Sequence, residues 1–107
     1  MKSIRLSEQE IHEMKSVFSD YFLKGDKLWL FGSRTDLKEK GGDIDLYIET
    51  QITDVSLINQ KRIRFLSDLK TKIGDQKIDL VMNFPGNISL AIHEEAKKNG
   101  VLLHEKI

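Results

Sequence analysis

The chain has 107 residues, of which 39% are hydrophobic and 32% are charged, a balance typical of a folded globular protein rather than a disordered or fibrous one. Seventeen basic side chains balance seventeen acidic ones, which excludes a generally basic nucleic-acid-binding protein, so any nucleic-acid contact has to be local. The sequence contains no cysteine, which excludes disulfides and thiolate sites. We expect one domain spanning residues 1–107.

The beginning of the sequence, MKSIRLSEQE, lacks the apolar core of a signal peptide. No later apolar run is long enough to cross a bilayer. Together with the absence of cysteine, these features predict a cytoplasmic protein with no membrane partner.

The first half of the chain predicts one helix and two strands. Apolar residues recur at helical spacing over Ser7–Lys24, and a capping-box pattern marks the helix start. The run KLWLFGS then predicts a strand that is apolar on both faces and should therefore lie inside the sheet, covered by helices. The run DIDLYIE predicts a second strand with Asp43, Asp45 and Tyr47 on one face.

The second half predicts a helix, a strand and a final helix. Residues 54–73 place apolar side chains, Val55 among them, on one side and basic residues over much of the remainder. KIDLVMN predicts a third strand carrying Asp79, and NISLAIHEEAKKNG predicts a helix ended by Gly100. The following VLL is either an edge strand or a docked tail. This order predicts an α/β (α+β) fold in which helices flank a small mixed sheet.

The segment LFGSRTDLKEKGGDIDL has the features of a phosphate and metal site. A glycine at a strand end allows close approach to a phosphate, so Gly32 and the Ser33 hydroxyl are candidate ligands. Asp43 and Asp45 emerge from one strand face, about 7 Å apart at the backbone. Such carboxylates are suited to hold Mg²⁺ against triphosphate oxygens. Asp79 would supply a third carboxylate for a second ion, about 3.5 to 4 Å from the first.

Several other residues have both a functional and a structural interpretation. Arg34 is a candidate phosphate ligand or an exposed arginine at a helix start, and Tyr47 is expected to pack in the core rather than to contact a nucleotide. The basic residues of the second helix are interpreted as its solvated face, with an RNA acceptor as the alternative. The three histidines, His12, His93 and His104, lack metal-ligand spacing and are expected on the surface.

The sequence resembles the DNA polymerase beta-like nucleotidyltransferases, specifically their minimal bacterial branch. The family pattern is Gly-Ser, a spacer, Asp-x-Asp with apolar neighbours, and a later acidic residue on a strand. Its elements match Gly32 with Ser33, Asp43 with Asp45, and Asp79. The spacer RTDLKEKGG departs from the family in lacking a glycine two residues after Arg34.

The resemblance implies an enzyme that transfers a nucleoside monophosphate, AMP from ATP, to an acceptor hydroxyl. Asp43, Asp45 and Asp79 would then be catalytic residues that bind two Mg²⁺ ions. The nucleotide would be held by Gly32 and Ser33, with Arg34 as the further candidate.

The resemblance also implies a partner, because larger family members carry a helical domain that binds the acceptor. In the minimal branch the partner is a helical HEPN-type toxin, and the nucleotidyltransferase is its antitoxin, which adds AMP to a toxin tyrosine. The alternatives are a nucleotide-binding subunit that neutralises its partner by contact and, ranked last, an antibiotic nucleotidyltransferase. A nucleic-acid acceptor and an oligomer remain open.

Overall fold

The computed structural model describes residues 6–32, 43–87 and 91–107. These residues form three helices and one four-stranded mixed sheet, which confirms the expected fold class. In chain order the elements are α1 (Glu8–Tyr21), β1 (Lys27–Phe31), β2 (Ile44–Glu49), α2 (Val55–Ile73), β3 (Ile78–Asn83), α3 (Ala91–Asn99) and β4 (Val101–Glu105). None of the helices in these ranges combines the length and the apolar character needed to span a membrane.

The strands lie in the order β3-β2-β1-β4. β1 pairs antiparallel with both β2 and β4, whereas β2 and β3 are parallel and are joined through α2. The interior position predicted for β1 is confirmed. The VLL segment belongs to the edge strand β4, which decides between the two predicted alternatives.

The alternation of β1 separates two apolar layers on opposite faces of the sheet. Leu28 and Leu30 are fully buried in the larger core, which α1 and α2 complete with residues such as Phe18 and Phe65. Trp29 belongs to a smaller cluster on the other face with Tyr47 and Ala96 of α3. The sheet therefore lies between α1 with α2 on one side and α3 on the other.

The helix starts follow their capping residues. Ser7 accepts a hydrogen bond from the backbone of Glu10, whose side chain accepts one from the Ser7 N–H, so the predicted capping box is confirmed. Asp54 caps α2 by accepting from the Leu57 N–H. Val55 was expected on the apolar side of this helix, but as the first residue of α2 it is 54% exposed and lies outside the core.

Gly100 directly follows α3, and its N–H donates to the Ala96 carbonyl. A Cβ at this position would overlap that carbonyl oxygen and lie 2.8 Å from the carbonyl oxygen of Leu30. The close approach between the end of α3 and β1 therefore requires glycine at position 100. The next residue begins β4, which lies at the edge of the sheet.

Asp26 joins three segments of the chain through a fully buried carboxylate. It accepts hydrogen bonds from the Leu23 N–H at 2.8 Å, the Thr50 hydroxyl at 2.6 Å and the Gln51 N–H at 2.8 Å. Leu23 follows α1, whereas Thr50 and Gln51 follow β2. The carboxylate thus fixes the ends of both elements beside the start of β1.

Asp26→Asn keeps the side-chain volume but replaces one carboxylate oxygen, a hydrogen-bond acceptor, with an amide NH₂, which is a donor. We expect the free energy of unfolding to fall by about 2 to 4 kcal/mol, because a buried donor loses its partner along with the charge that strengthened the bonds. Urea denaturation measures this loss. The matched variant Asp75→Asn alters an exposed aspartate and should change stability by less than about 0.5 kcal/mol. Equal effects of the two substitutions would contradict the role assigned to Asp26.

Candidate functional site

The parallel pairing of β2 with β3 brings two of the predicted site residues side by side. Ile44 is paired with Ile78, and the next pair in register is Asp45 with Asp79. Since side chains at paired positions point to the same face, both carboxylates lie on the α3 side of the sheet. The expectation that Asp79 lies on a strand next to the aspartate pair is confirmed.

The surroundings of Asp45 raise the pKa of its carboxyl group. Partial burial raises its pKa above the ordinary value of 3.8, and the negative charges of Asp79 and Asp43 raise it further. A hydrogen bond with Asp79 adds to the shift, and Lys77 opposes it. Burial, the largest cause, and the charges of the neighbouring carboxylates both disfavour the ionised form of Asp45.

Asp43 immediately precedes β2 and is paired with Lys77, which immediately precedes β3. The Lys77 ammonium lies 3.3 Å from Oδ2 of Asp43. This contact is the largest cause of the raised pKa of Lys77, to which the charges of Asp79 and Asp45 also contribute. The cluster therefore comprises three carboxylates and one ammonium group at the start of two parallel strands.

Gly32 lies at the end of β1 with φ +75°, a conformation that L side chains rarely adopt. A Cβ here would overlap Oδ2 of Asp45 and lie 3.0 Å from its Cγ. The missing side chain therefore gives the Asp45 carboxylate its place beside the backbone. The close approach of a phosphate to this backbone stays a prediction.

Ser33 and Arg34, the other predicted phosphate ligands, lie outside the described residues. Tyr47 follows Asp45 on the same strand face and is fully buried, as expected. Burial is the main reason why its pKa rises to about 12. Its hydroxyl donates to Glu49 of the same strand at 3.2 Å, while its ring packs against His93 of α3.

The surface prediction for the histidines is wrong for His93. His93 is only 2% exposed, and its ring centroid lies 5.7 Å from that of Tyr47 under α3. His104 is half-buried beside Ser19, and burial lowers its pKa. His12 is exposed as expected. In a short polar helix, a single inward-facing histidine does not alter the pattern of apolar residues along the sequence. Burial of such a histidine is therefore difficult to predict from that pattern.

Lys77 was not among the site residues predicted from the sequence. The signal was present, because Lys77 and Asp79 are two apart and share a strand face, as Asp43 and Asp45 do. Only the parallel register of the two strands places the lysine next to Asp43.

The donor chemistry of the cluster fits a hard divalent cation. Its carboxylate oxygens are the ligands that Mg²⁺ prefers, and their mutual repulsion is the cost that a cation would relieve. Within residues 6–32, 43–87 and 91–107, no set of three or more Asp, Glu, His or Cys side chains is already arranged as a metal-binding group.

Comparison of the chain with models of known protein families found no matching family, and comparison with curated proteins found no relative. Inferences about function therefore depend on the geometry and charge of the site itself.

Asp45→Asn tests the electrostatic description of the site. In the pH interval between the unfolded pKa and the raised folded pKa of Asp45, the folded state binds more protons, so this group lowers stability as pH rises. Without metal at neutral pH, the substitution should raise the free energy of unfolding by at most about 1 kcal/mol, given solvent screening. The gain should vanish below about pH 3.8.

Urea denaturation from pH 3 to 8 in the presence of chelator measures this profile (about five pH values suffice). Asp20→Asn, which removes a charge at an exposed position on α1, controls for the change in net charge. A large loss of stability in Asp45→Asn at neutral pH would instead make the carboxylate a structural partner.

Proposed function

We propose that this protein is a magnesium-dependent nucleotidyltransferase that transfers AMP from ATP to an acceptor hydroxyl. The observation that best supports the proposal is the convergence of Asp45 with Asp79 and Asp43 beside the Cβ-free backbone of Gly32. Converging carboxylates beside a glycine at a strand end would suit a metal-bound triphosphate. The spacing of these residues also resembles that of the minimal nucleotidyltransferases.

Asp43, Asp45 and Asp79 would hold two Mg²⁺ ions, which when bound would neutralise charge on the triphosphate and the leaving pyrophosphate. In the transfer, the acceptor oxygen forms a bond to the α-phosphorus while the bond from the α-phosphorus to the pyrophosphate oxygen breaks. Asp79 is exposed, so its carboxylate is accessible to take the proton of the incoming hydroxyl. Gly32 and Ser33, with Arg34, would hold the phosphates.

The acceptor on this proposal is a hydroxyl of a separate protein. Each of the three helices in the described ranges packs in one of the two apolar layers on the sheet, so none of them forms a separate acceptor-binding layer. The resemblance to the minimal branch makes a tyrosine of a HEPN-type toxin the favoured acceptor, and the protein an antitoxin.

One observation favours a second candidate, a nucleotide-binding subunit that neutralises its partner by contact without catalysis. Asp43 already forms an ion pair with Lys77 at 3.3 Å, so the chain itself supplies a positive charge beside this carboxylate. On this alternative the carboxylate cluster would bind nucleotide weakly, and the partner would be inhibited without covalent modification.

The first functional prediction concerns ligand binding. The wild type should bind ATP at least about tenfold more tightly with Mg²⁺ than with chelator, because the carboxylates otherwise repel the phosphates. Asp43→Asn and Asp45→Asn should each lose most of this difference, while Asp75→Asn should keep it. Isothermal titration calorimetry measures the affinities, and equal affinity with and without the metal would exclude Asp43 and Asp45 as metal ligands.

Two glycine variants separate backbone strain from the site. Gly32→Ala and Gly86→Ala both place a side chain at positive φ, and each should cost roughly 1 kcal/mol of stability. Only Gly32→Ala also displaces the Asp45 carboxylate, whereas the space around Gly86 is open. Loss of Mg²⁺-dependent ATP binding should therefore be confined to Gly32→Ala.

The second functional prediction concerns transfer. Incubation with α-labelled ATP, Mg²⁺ and the protein encoded beside this one should place label on the partner protein, and Asp79→Asn should reduce labelling by at least about a hundredfold. The chain alone should label small alcohols and aminoglycosides barely at all. Inhibition of the partner with no label on protein or RNA would favour the contact mechanism, and rapid aminoglycoside labelling would contradict the antitoxin role.

A further inference from the structure

Lys77 and Asp43 are placed next to each other by the backbone of the parallel strand pair. The Ile44 N–H donates to the Lys77 carbonyl at 3.1 Å, and Ile44 then pairs with Ile78. The residues before the two strands therefore lie side by side, and the Lys77 ammonium reaches Oδ2 of Asp43 at 3.3 Å. We propose that Lys77 is a built-in counter-ion of the carboxylate cluster, which a divalent cation must displace in order to bind.

The charge balance of the cluster supports this role. Three carboxylates face one another, and the Lys77 charge acts on each of Asp43, Asp45 and Asp79. An ammonium group so placed lowers the repulsion that the metal-free site would otherwise bear. The same positive charge repels an incoming cation, so it also weakens the affinity of the site for bare metal.

The exposure of the pair makes the exchange feasible. The Lys77 side chain is 72% exposed and that of Asp43 is 39% exposed. Ion pairs this accessible to water contribute little to stability and are screened by salt, so the lysine can move away at small cost. A divalent cation, with twice the charge and several carboxylate ligands, gains more than the lysine loses.

A second ion pair on the sheet provides a matched control. Lys97 of α3 lies 3.0 Å from Glu49, the last residue of β2, and its side chain is 42% exposed. Glu49 is paired with Asn83 at one end of the parallel β2–β3 ladder, whereas Asp45 and Asp79 are paired near the other end. Neutralising Lys97 therefore makes the same change in net charge without removing a counter-ion from the cluster.

This inference rests on the proposed function for its consequence. Because the Lys77 charge repels bare metal, the site would favour a cation that is bound to a triphosphate, whose phosphates supply additional negative charge and ligands. The lysine would thus couple occupancy by metal to occupancy by nucleotide.

Calorimetric titration of the nucleotide-free protein with Mn²⁺ tests the inference. Lys77→Gln should bind Mn²⁺ more tightly than the wild type by on the order of threefold to tenfold, the effect expected from removing one charge at this range in partly screened surroundings. Lys97→Gln should remain within about twofold of the wild type. Lys77→Arg, which keeps the positive charge, should restore the wild-type affinity.

Metal-induced shifts in melting temperature provide a second readout. Mn²⁺ should stabilise Lys77→Gln more than Lys97→Gln at equal concentration, because only the folded state holds the cluster together. Unchanged or weaker Mn²⁺ binding by Lys77→Gln would overturn the counter-ion role while leaving nucleotidyl transfer standing. Tighter Mn²⁺ binding without any binding of ATP would support the counter-ion role and overturn the proposed function, and no Mn²⁺ binding by any variant would overturn both.

Discussion

Repulsion among the carboxylates at the start of β2 and β3 is the constraint to which the rest of the site responds. The in-register parallel pairing fixes the backbones of Asp45 and Asp79 next to each other, so these positions cannot move apart without a shift of an entire strand. Such a shift would move the apolar side chains of β3 out of the main core. Hydrophobic packing elsewhere therefore keeps the two carboxylates adjacent, and the positive charge of Lys77 reduces their repulsion locally.

The layered fold provides that packing while keeping one corner of the sheet polar. The face toward α1 and α2 is apolar along all four strands. The opposite face changes character along β2, from Asp45 near its start to the fully buried Tyr47 under α3. A single strand face thus combines an anchor for α3 with a water-accessible carboxylate cluster, and the close contact of Gly32 with Asp45 joins β1 to the same corner.

Hydrophobic periodicity was sufficient to predict the three helices and the first three strands, the interior position of β1 and the face that carries the aspartates, while it left β4 open between a strand and a docked tail. The features that it missed depend on tertiary packing. Burial of His93 depends on how α3 packs on Tyr47, and exposure of Val55 depends on which part of α2 contacts the core. The Lys77 contact required the register between two strands separated by a helix, and local propensity carries no information about that register.

The negative charge of this cluster also bears on the choice between catalysis and inhibition by contact. A protein that only covers its partner gains nothing from adjacent carboxylates that raise the pKa of Asp45, and amide or apolar side chains at these positions would be less costly to the fold. Repulsion among adjacent carboxylates is expected where the chain binds a ligand that neutralises their charge. Lys77 resolves it only in part, since one ammonium group faces three carboxylates, and the remaining negative charge is what a divalent cation would neutralise.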